Sequence, residues 1–403
     1  MISRAALFPY WLVLRIRHAL YDSGRWKSVT HPVPVISVGN LTVGGTGKTP
    51  MVEYLVNLLQ GSCRVAVLSR GYKRRSKGFH IVTEDDTADV AGDEPLQVKR
   101  KFPHVLVAVD KDRNHGVAQL LALSEAERPQ LVLLDDGFQY RKLQPATNLV
   151  LVDYNRPVFK DELLPFGHLR DLPEQIRRAD AVVVTKSPRY LDEWERGKVR
   201  QLTRLRPEQP LFFATVKYGD PLPVFRWEAD KRYIYSKDVF LFSGVADDRP
   251  LRVHLTDRYE HIDHKRFGDH HRFTRADLRL LAREVRRNPR AVLLTTEKDA
   301  MRLLHCGRLD PEVRRRLFYL PITMEFLTAE EAASFDETLR PFVKDLRFAT
   351  LYYKPARSRW PFRPEFYLKE TDAWLVFPHE LMGLAPDEVR EKDPEVAKLL
   401  GLG

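Results

Sequence analysis

The feature that most constrains this chain is a glycine-rich turn at residues 44–49, which follows an apolar, β-branched run at residues 33–38. A strand that enters such a turn directs successive backbone N–H groups into one hollow, where a nucleotide's phosphates can bind. Lys48 is placed to reach the outer phosphates, and the Thr49 hydroxyl is placed to ligate Mg²⁺. The turn therefore predicts a nucleoside triphosphate site formed by Gly44, Gly45, Thr46, Gly47, Lys48 and Thr49.

The match to the phosphate-loop pattern G-x-x-x-x-G-K-[ST] departs at one position, because Thr42 stands where the first glycine belongs. Gly44 and Gly45 still allow the backbone a positive φ, so we interpret the turn as a variant of the pattern. The alternative is a flexible glycine turn between a strand and a helix. Pro50 suits the first turn of the following helix, where a missing N–H costs nothing.

The rest of the chain has the pattern of an α/β protein. Apolar runs alternate with helical stretches and end in polar turns, at residues 64–68, 105–109, 131–134, 149–152 and 181–184. This alternation predicts a mostly parallel, doubly wound sheet of the P-loop NTPase kind. After about residue 193 the composition changes, and further strands predict a second, smaller α/β domain. The predicted parts are an N-terminal helix, a P-loop core domain, a smaller α/β lid domain and a C-terminal extension, at residues 1–30, 31–215, 216–345 and 346–403.

A metal site is predicted at the end of the apolar run at residues 131–134. Asp135 and Asp136 follow it directly, and an acidic residue at the tip of such a strand holds Mg²⁺ in phosphate-loop enzymes. This pair would complete the site begun by Thr49. Both aspartates are candidates for direct ligation.

The sequence favours ATP over GTP. Leu134 occupies the position of the aspartate in the Asp-x-x-Gly motif of a GTPase, and residues 185–188 lack the aspartate of a guanine-reading Thr-Lys-x-Asp. Arg170 has a fixed charge and a forked guanidinium that matches phosphate oxygens, although an exposed salt bridge is its plainer interpretation.

The N-terminal segment is aromatic and basic, with an apolar run at residues 5–16 that arginines interrupt. It is too short to cross a bilayer, so we expect an interfacial helix on a membrane surface. The alternative is an ordinary amphipathic helix packed on the core. The chain has 66 Lys and Arg against 55 Asp and Glu, a formal charge of +11, which favours nucleic acid, acidic lipid or phosphorylated substrates as partners.

Two other stretches allow more than one interpretation. The His and Asp residues at 261–271 could hold zinc, but their spacing matches no compact zinc pattern. Aromatic residues among arginines at 352–367 could stack on bases or form a clasp over the domain. Cys63 and Cys306 suggest no disulfide framework, and the chain therefore suits a reducing compartment.

Several separate motifs, in this order, resemble the tetraacyldisaccharide 4'-kinase family, which phosphorylates the lipid A precursor. The resemblance covers about residues 1–345, and Thr42 at the first loop position is what that family also shows. The motifs that carry the resemblance are residues 39–40, 42–50, 69–72, 92–95, 135–139 and 267–271.

The resemblance implies an ATP- and Mg²⁺-dependent enzyme in which Asp93 works with His270, and Lys48 neutralises charge on the transferred phosphoryl group. On pattern alone, Asp93 could equally be a helix cap. The family's nucleotide-binding positions map onto Arg113, Gln139, Arg170 and Asp171. Where the family usually has Leu-Arg-Glu-Pro, this chain has a shorter carboxylate and a displaced proline at residues 169–173.

The resemblance also implies that the acceptor is the 4'-hydroxyl of tetraacyldisaccharide 1-phosphate, and that the N-terminal helix docks on the cytoplasmic face of the inner membrane. We expect a monomer that binds lipid A disaccharide 1-phosphate and an anionic membrane surface but no nucleic acid. The alternative is a P-loop ATPase switch with a basic surface for nucleic acid or membrane.

Overall fold

The computed structural model describes residues 2–245, 247–269, 271–304, 306, 309–339, 349–353 and 366–370. The chain divides into two units, Met1–Lys344 and Asp345–Gly403. The first unit contains two sheets, whose strands in chain order are β1 (Val35–Asn40), β2 (Val65–Ser69), β3 (His80–Ile81), β4 (Leu106–Val109), β5 (Leu131–Asp135), β6 (Thr147–Asp153), β7 (Ala181–Thr185), β8 (Leu211–Tyr218), β9 (Leu222–Pro223), β10 (Asp238–Ser243), β11 (His261–Arg266), β12 (Val292–Thr296), β13 (Leu317–Leu320) and β14 (Ile322–Phe326).

The helices of the first unit connect these strands and cover the sheets. In chain order they are α1 (Ile2–Asp22), α2 (Lys48–Leu59), α3 (Ala88–Ala91), α4 (Asp93–Lys101), α5 (Arg113–Leu121), α6 (Glu193–Thr203), α7 (Arg249–Thr256), α8 (Arg275–Arg287), α9 (Glu297–Leu303), α10 (Pro311–Arg316) and α11 (Ala329–Leu339). Short 3-10 turns lie at Val158–Lys160, Pro173–Arg178 and Lys231–Tyr235.

The larger sheet has nine strands in the order β14-β8-β7-β6-β1-β5-β2-β4-β3. Its neighbours are parallel except at the two edges, where β14 and β3 run antiparallel to their partners. All six residues of β1 and all five of β5 are buried, as expected of parallel strands covered on both faces. The predicted mostly parallel, doubly wound sheet is confirmed. Because β1 and β5 are parallel neighbours, their carboxyl ends bring the glycine loop and Asp135 to one edge.

The smaller sheet has five strands in the order β11-β10-β12-β13-β9, and only β9 runs antiparallel to its neighbour. After β13 the chain returns to the larger sheet, where β14 pairs with β8. The last strand and helix of the predicted lid domain, residues 216–345, therefore lie with the larger sheet. The predicted limits of the domains stay a prediction.

Helix α1 packs one side on the larger sheet and exposes apolar side chains on the other. Leu14 and His18 are buried, while exposed apolar residues cover the outer side at Phe8, Leu12, Val13 and Ile16. Among the residues that the structure describes, no helix combines the length and the apolarity needed to cross a membrane.

The described part of the second unit consists of two parallel strands, β15 (Ala349–Tyr353) and β16 (Phe366–Glu370). The rest of the predicted extension, including most of the aromatic residues at 352–367, lies outside the described residues.

Candidate active site

The glycine turn connects β1 to α2, as the sequence predicts. Gly47 has φ 84°, a left-handed conformation that favours glycine, and Lys48 begins the helix. No side chain caps the first turn of α2, so its N–H groups are available to an anion such as a phosphate. Gly44 and Gly45 are exposed at the open side of the turn. This geometry fits the triphosphate of ATP.

Two side chains hold the inner part of the turn in place. The Asn40 side-chain nitrogen donates to the Thr46 Oγ1 (2.6 Å), and the Thr185 hydroxyl, at the end of β7, donates to the Thr46 carbonyl (2.9 Å). All three residues are buried. These bonds fix the loop to two strands of the sheet before a nucleotide binds. Less conformational entropy of the loop is therefore lost on binding.

Three basic side chains converge on Asp136 at the tip of β5. The Lys48 Nζ lies 3.6 Å from the Asp136 carboxylate, and Arg170 forms a two-pronged ion pair with the same group. Arg113, which is buried, donates to the Asp136 carbonyl oxygen (3.3 Å). Burial alone would raise the pKa of Asp136, but Lys48 and Arg170 hold that pKa well below its ordinary value. The Asp136 carboxylate therefore stays charged and positions the Lys48 and Arg170 side chains beside the loop.

Asp135 has the burial and charge of a candidate metal ligand. It is buried and accepts one hydrogen bond, from the Ser69 hydroxyl (3.0 Å), while its Oδ1 has no hydrogen-bond partner among the described residues. Burial, with the nearby charges of Glu94 and Asp136, raises its pKa to about 7. A divalent cation would compensate this buried negative charge. Asp135 thus fits Mg²⁺, while ligation by Asp136, whose carboxylate pairs with Lys48 and Arg170, and by Thr49 stays a prediction.

Gln139 lies close to the loop but has protein partners on both sides. Its side-chain amide donates to the Asn40 carbonyl, and its own carbonyl accepts from Arg17 of α1 (2.5 Å). The nucleotide-binding role of Gln139 stays a prediction.

Asp171 lies against α1 and is 0% exposed. Its Oδ1 accepts from the His18 ring (2.6 Å) and from the Leu172 N–H (2.9 Å). This carboxylate therefore has protein partners in this arrangement, and its nucleotide-binding role stays a prediction.

Asp93 begins α4. It is 6% exposed, and its carboxylate accepts from Arg302 of α9 through two nitrogens. The other oxygen accepts from the Glu94 N–H (3.1 Å). Arg302 in turn donates to Asp299 (2.6 Å). The N-cap of α4 is Gly92, and no side chain forms a cap hydrogen bond there, so Asp93 acts on the helix only through its charge in the first turn.

Asp93 also lines an open cavity of about 350 Å³ with a basic rim. The rim includes Lys73, Arg75 and Arg272, which suit an anionic acceptor. Lys298 of α9 donates to Glu94 (2.7 Å), so α9 contacts both acidic residues that begin α4. The cavity thus lies where the two sheets of the first unit meet.

His270 lies outside the described residues, and its predicted partnership with Asp93 stays a prediction. Its neighbour His271 stacks on Phe267 (4.5 Å between ring centroids) and bonds to Asp277 (2.9 Å), the third helical residue in the capping box that Thr274 begins at α8. This second histidine of the motif therefore has a structural role.

Sequence reasoning missed the residues that support the site from other elements, chiefly Thr185, Arg302 and Lys298. Each lies near the end of a strand or on the helix that follows it, but no pattern connects them to Asp93 or Thr46. Only the tertiary structure brings them together.

The fold and the loop define a phosphate-loop nucleotide-binding protein. A family model described as "LpxK: Tetraacyldisaccharide-1-P 4'-kinase" matches residues 4–343. The chain therefore belongs to the tetraacyldisaccharide 4'-kinase family, as the motifs predict.

Individual relatives agree with this assignment. A tetraacyldisaccharide 4'-kinase of Phocaeicola vulgatus is 39% identical over 334 residues, which are 82% of this chain and 91% of that protein. One of Porphyromonas gingivalis is 40% identical over 336 residues, 82% of this chain and 94% of that protein. The crystal structure of LpxK from Aquifex aeolicus in complex with ATP is 32% identical, with a TM-score of 0.65, and covers 85% of this chain and 100% of that one.

Proposed function

We propose that this protein transfers the γ-phosphoryl group of ATP to the 4'-hydroxyl of tetraacyldisaccharide 1-phosphate, in lipid A biosynthesis. The observation that carries the proposal is the family match over residues 4–343. The convergence of Lys48 and Arg170 beside the glycine loop supports it, since phosphoryl transfer depends on positioning and on charge stabilisation.

In the proposed reaction, Asp93 accepts the proton of the 4'-hydroxyl as that oxygen attacks the γ-phosphorus. The new O–P bond forms as the bond between the γ-phosphorus and the bridging oxygen breaks, and ADP leaves. Arg302 orients the Asp93 carboxylate, and His270 is proposed as its catalytic partner. Lys48 compensates the charge on the leaving and transferred groups.

Mg²⁺, held by Thr49, Asp135 and Asp136, would neutralise charge on the phosphates when it is bound. Thr46, Gly47 and the other turn residues contribute backbone N–H groups for the β- and γ-phosphates. Arg170 reaches Asp136 and the loop from the segment after residue 163, where the Arg170 N–H donates to the Leu41 carbonyl (2.9 Å). We assign it to the nucleotide phosphates.

We further propose that the protein acts as a monomer at the cytoplasmic face of the inner membrane. The exposed apolar side chains of α1 support membrane contact, and the net charge of +11 suits an anionic surface and a phosphorylated lipid. The basic rim of the Asp93 cavity supports binding of the acceptor's polar part. Residues 31–215, together with β14 and α11, would form the nucleotide-binding core, and the smaller sheet with its helices would form the lid.

The function is tested by transfer of radiolabelled γ-phosphate from ATP to tetraacyldisaccharide 1-phosphate in detergent micelles. The parent, Asp93→Ala, His270→Ala and a surface control, Asp220→Ala, are compared; Asp220 pairs only with the exposed Arg258 in the described residues. We expect the parent and the control to label the lipid, and the two site variants to lose most of that activity while retaining ATP binding.

Two outcomes would contradict the proposal. ATP hydrolysis without any labelled lipid would favour an ATPase switch, and stimulation by nucleic acid with a steep salt dependence would identify its partner. Full activity of Asp93→Ala would remove that residue from the proposed mechanism while leaving the family assignment intact.

A further inference from the structure

The first unit contains a second basic cavity, separate from the glycine loop. It encloses about 320 Å³ between β1, the loop after β5 and the turn Pro173–Arg178. Four arginines line it, and we call it the arginine cavity: Arg141, Arg177, Arg178 and Arg206. No residue in the proposed phosphoryl transfer lies on its wall.

Two of these arginines form no ion pair within the described part of the chain. Arg177 donates through Nε to the Arg204 carbonyl (3.3 Å). Arg178 donates to the Gln175 side chain (3.2 Å) and to the Phe138 carbonyl (3.2 Å). These neutral acceptors orient the guanidinium groups without compensating their charge.

The acidic groups nearby balance only part of the positive charge. Arg141 pairs with Asp22 (2.7 Å) and Arg206 pairs with Glu208 (3.3 Å), both exposed carboxylates. Burial, reinforced by the charge of Arg141, lowers the pKa of Arg178 to about 10, although the charges of Asp171 and Asp22 act in the opposite direction. Clustered like charges are costly in a partly buried site, so an anion in the cavity would relieve this repulsion.

A buried hydroxyl on the cavity wall also lacks a partner. Ser37 is 1% exposed, and its Oγ forms no hydrogen bond among the described residues. A side chain at Gly137 would close the space beside it, because a Cβ there would lie 2.7 Å from the Ser37 Oγ. Buried polar atoms without partners are rare in folded proteins. This hydroxyl can donate to a ligand oxygen.

We propose that the arginine cavity binds a phosphate group carried on a small polar molecule or on a lipid headgroup. Arginine guanidinium groups match phosphate oxygens in pairs, and the Ser37 hydroxyl adds a donor at the inner end. A volume of about 320 Å³ lies at the lower end of small-molecule pockets, enough for a phosphate with a glycerol-sized substituent.

Side chains of the arginine cavity contact both helix α1 and the loop after β5, which carries Asp136. Arg141 bonds to the His18 ring and to Asp22 of α1 (3.0 and 2.7 Å), while Arg178 bonds to Phe138 in the loop that carries Asp136. A bound phosphate therefore stabilises the docked position of α1 together with the conformation of the metal-binding loop.

The first arm of the test measures binding of glycerol 3-phosphate by titration calorimetry. The full chain carries Lys48→Ala, which weakens anion binding at the nucleotide loop. In this background, Ser37→Ala and Arg177→Gln each remove a hydrogen bond to a charged group, and we expect roughly 10- to 100-fold weaker binding. Arg189→Gln, an exposed arginine outside the cavity, is the control for net charge and should leave binding unchanged.

Ser37→Ala also separates binding from folding. Since its hydroxyl has no protein partner, the substitution should not lower the melting temperature without ligand. A lower melting temperature together with unchanged ligand binding would overturn the proposal.

The second arm identifies the source of the phosphate. Vesicles of phosphatidylglycerol or phosphatidylcholine are sedimented with the parent, Arg177→Gln and Arg189→Gln. If glycerol 3-phosphate binds and Ser37→Ala weakens it, the ligand is a soluble phosphate. The ligand is a lipid headgroup if the variants do not differ in glycerol 3-phosphate binding but differ in vesicle binding. In that case Arg177→Gln loses the preference for phosphatidylglycerol over phosphatidylcholine, and Arg189→Gln keeps it. If neither arm separates the cavity variants from the control, the cavity holds no phosphate site.

Discussion

At the scale of single residues, Arg302 orients the carboxylate of Asp93, the proposed base. Two nitrogens of Arg302 donate to one oxygen of Asp93, and the third donates to Asp299. Arg302→Lys keeps the charge but loses this fork. We expect kcat to fall roughly 10- to 100-fold, with little change in the KM for ATP, because a misplaced base costs transition-state stabilisation.

The control for Arg302 is a double-mutant cycle with Asp93→Asn. If Arg302 acts through Asp93, the two substitutions are strongly non-additive in kcat. Additive losses would show that Arg302 supports the fold of α9 and contributes nothing to the orientation of the base.

Asp171 provides a second residue-level prediction, because it is buried and bonded to His18 of α1. Asp171→Ala removes the acceptor of the buried His18 ring, and the loss of a hydrogen bond to a charged group costs roughly 1.5–3 kcal/mol. We expect Asp171→Ala to lower the free energy of unfolding and to leave the KM for ATP unchanged. Arg170→Gln is the comparison, and there we expect a raised KM for ATP with an unchanged free energy of unfolding. A raised KM for ATP with normal stability would instead assign Asp171 to the nucleotide.

The sequence predicts the residues that carry chemistry better than the residues that support them. Lys48 lies in the glycine-rich turn after β1, and Asp135 and Asp136 follow the apolar run of β5. Each motif is local in the sequence, and the pairing of β1 with β5 brings them together. The contacts of Arg302 and His18 depend on residues more than 150 positions away. No local pattern contains that information, and the bond between Asp171 and His18 could not be predicted for the same reason.

At the scale of elements, a buried acidic network joins three helices of the first unit. The Lys101 Nζ of α4 lies between two carboxylates. It is 2.6 Å from Glu53 Oε2 of α2 and 3.7 Å from Glu297 Oε1 of α9. Burial, together with the charge of Glu53, raises the pKa of Glu297 from 4.5 to about 7. One cation cannot compensate both carboxylates, so Glu297 retains a proton at a pH where an exposed glutamate would be charged.

The network predicts a specific pH dependence of stability. Between about pH 4.5 and pH 7 the folded protein holds a proton on Glu297 that the unfolded chain has released, so stability falls as the pH rises through this window. Glu297→Gln removes this dependence and should be more stable than the parent at pH 8 by roughly 1–3 kcal/mol. Thermal unfolding at several pH values measures it. Glu325→Gln, in an exposed pair with Lys217, should not alter the profile, and parallel profiles for parent and Glu297→Gln would contradict the argument.

Helix α1 is the element proposed to contact the membrane. Substitution of two similarly exposed valines, one on α1 and one on α7, tests this proposal. Val13 on α1 is 60% exposed and Val253 on α7 is 67% exposed, so Val13→Glu and Val253→Glu change charge and exposure alike. Burying one valine contributes about 1.5–3 kcal/mol. We therefore expect Val13→Glu to bind phosphatidylglycerol vesicles at least about ten-fold more weakly, with Val253→Glu unchanged. Equal binding by both variants would exclude this face of α1 from the membrane contact.

The strands were predictable because continuous apolar runs of four to seven residues mark buried parallel strands. The run at residues 131–134, for example, becomes β5 with one added residue. The return of β14 to the edge of the larger sheet was not predictable, since Ile322–Phe326 follows β13 of the smaller sheet after a single proline. Strand partners depend on long-range packing, and the sequence of one short strand does not encode them.

At the scale of the whole molecule, the site belongs to the first unit. The glycine loop, the metal ligands, Asp93 and its cavity all lie within Met1–Lys344, and the family model ends at residue 343. The related kinases align over 91% and 94% of their own length but only 82% of this chain. The residues after 343 therefore lie outside the family model.

We accordingly expect a chain that ends at Lys344 to retain ATP binding and transfer of phosphate to tetraacyldisaccharide 1-phosphate in micelles. The full chain and the shortened chain are compared for kcat and for both KM values, because each KM reports a different substrate. Unchanged values would assign catalysis to the first unit alone. A raised KM for the lipid with an unchanged KM for ATP would show that residues 345–403 take part in binding the acceptor, and a loss of both activities would show that the first unit needs the second.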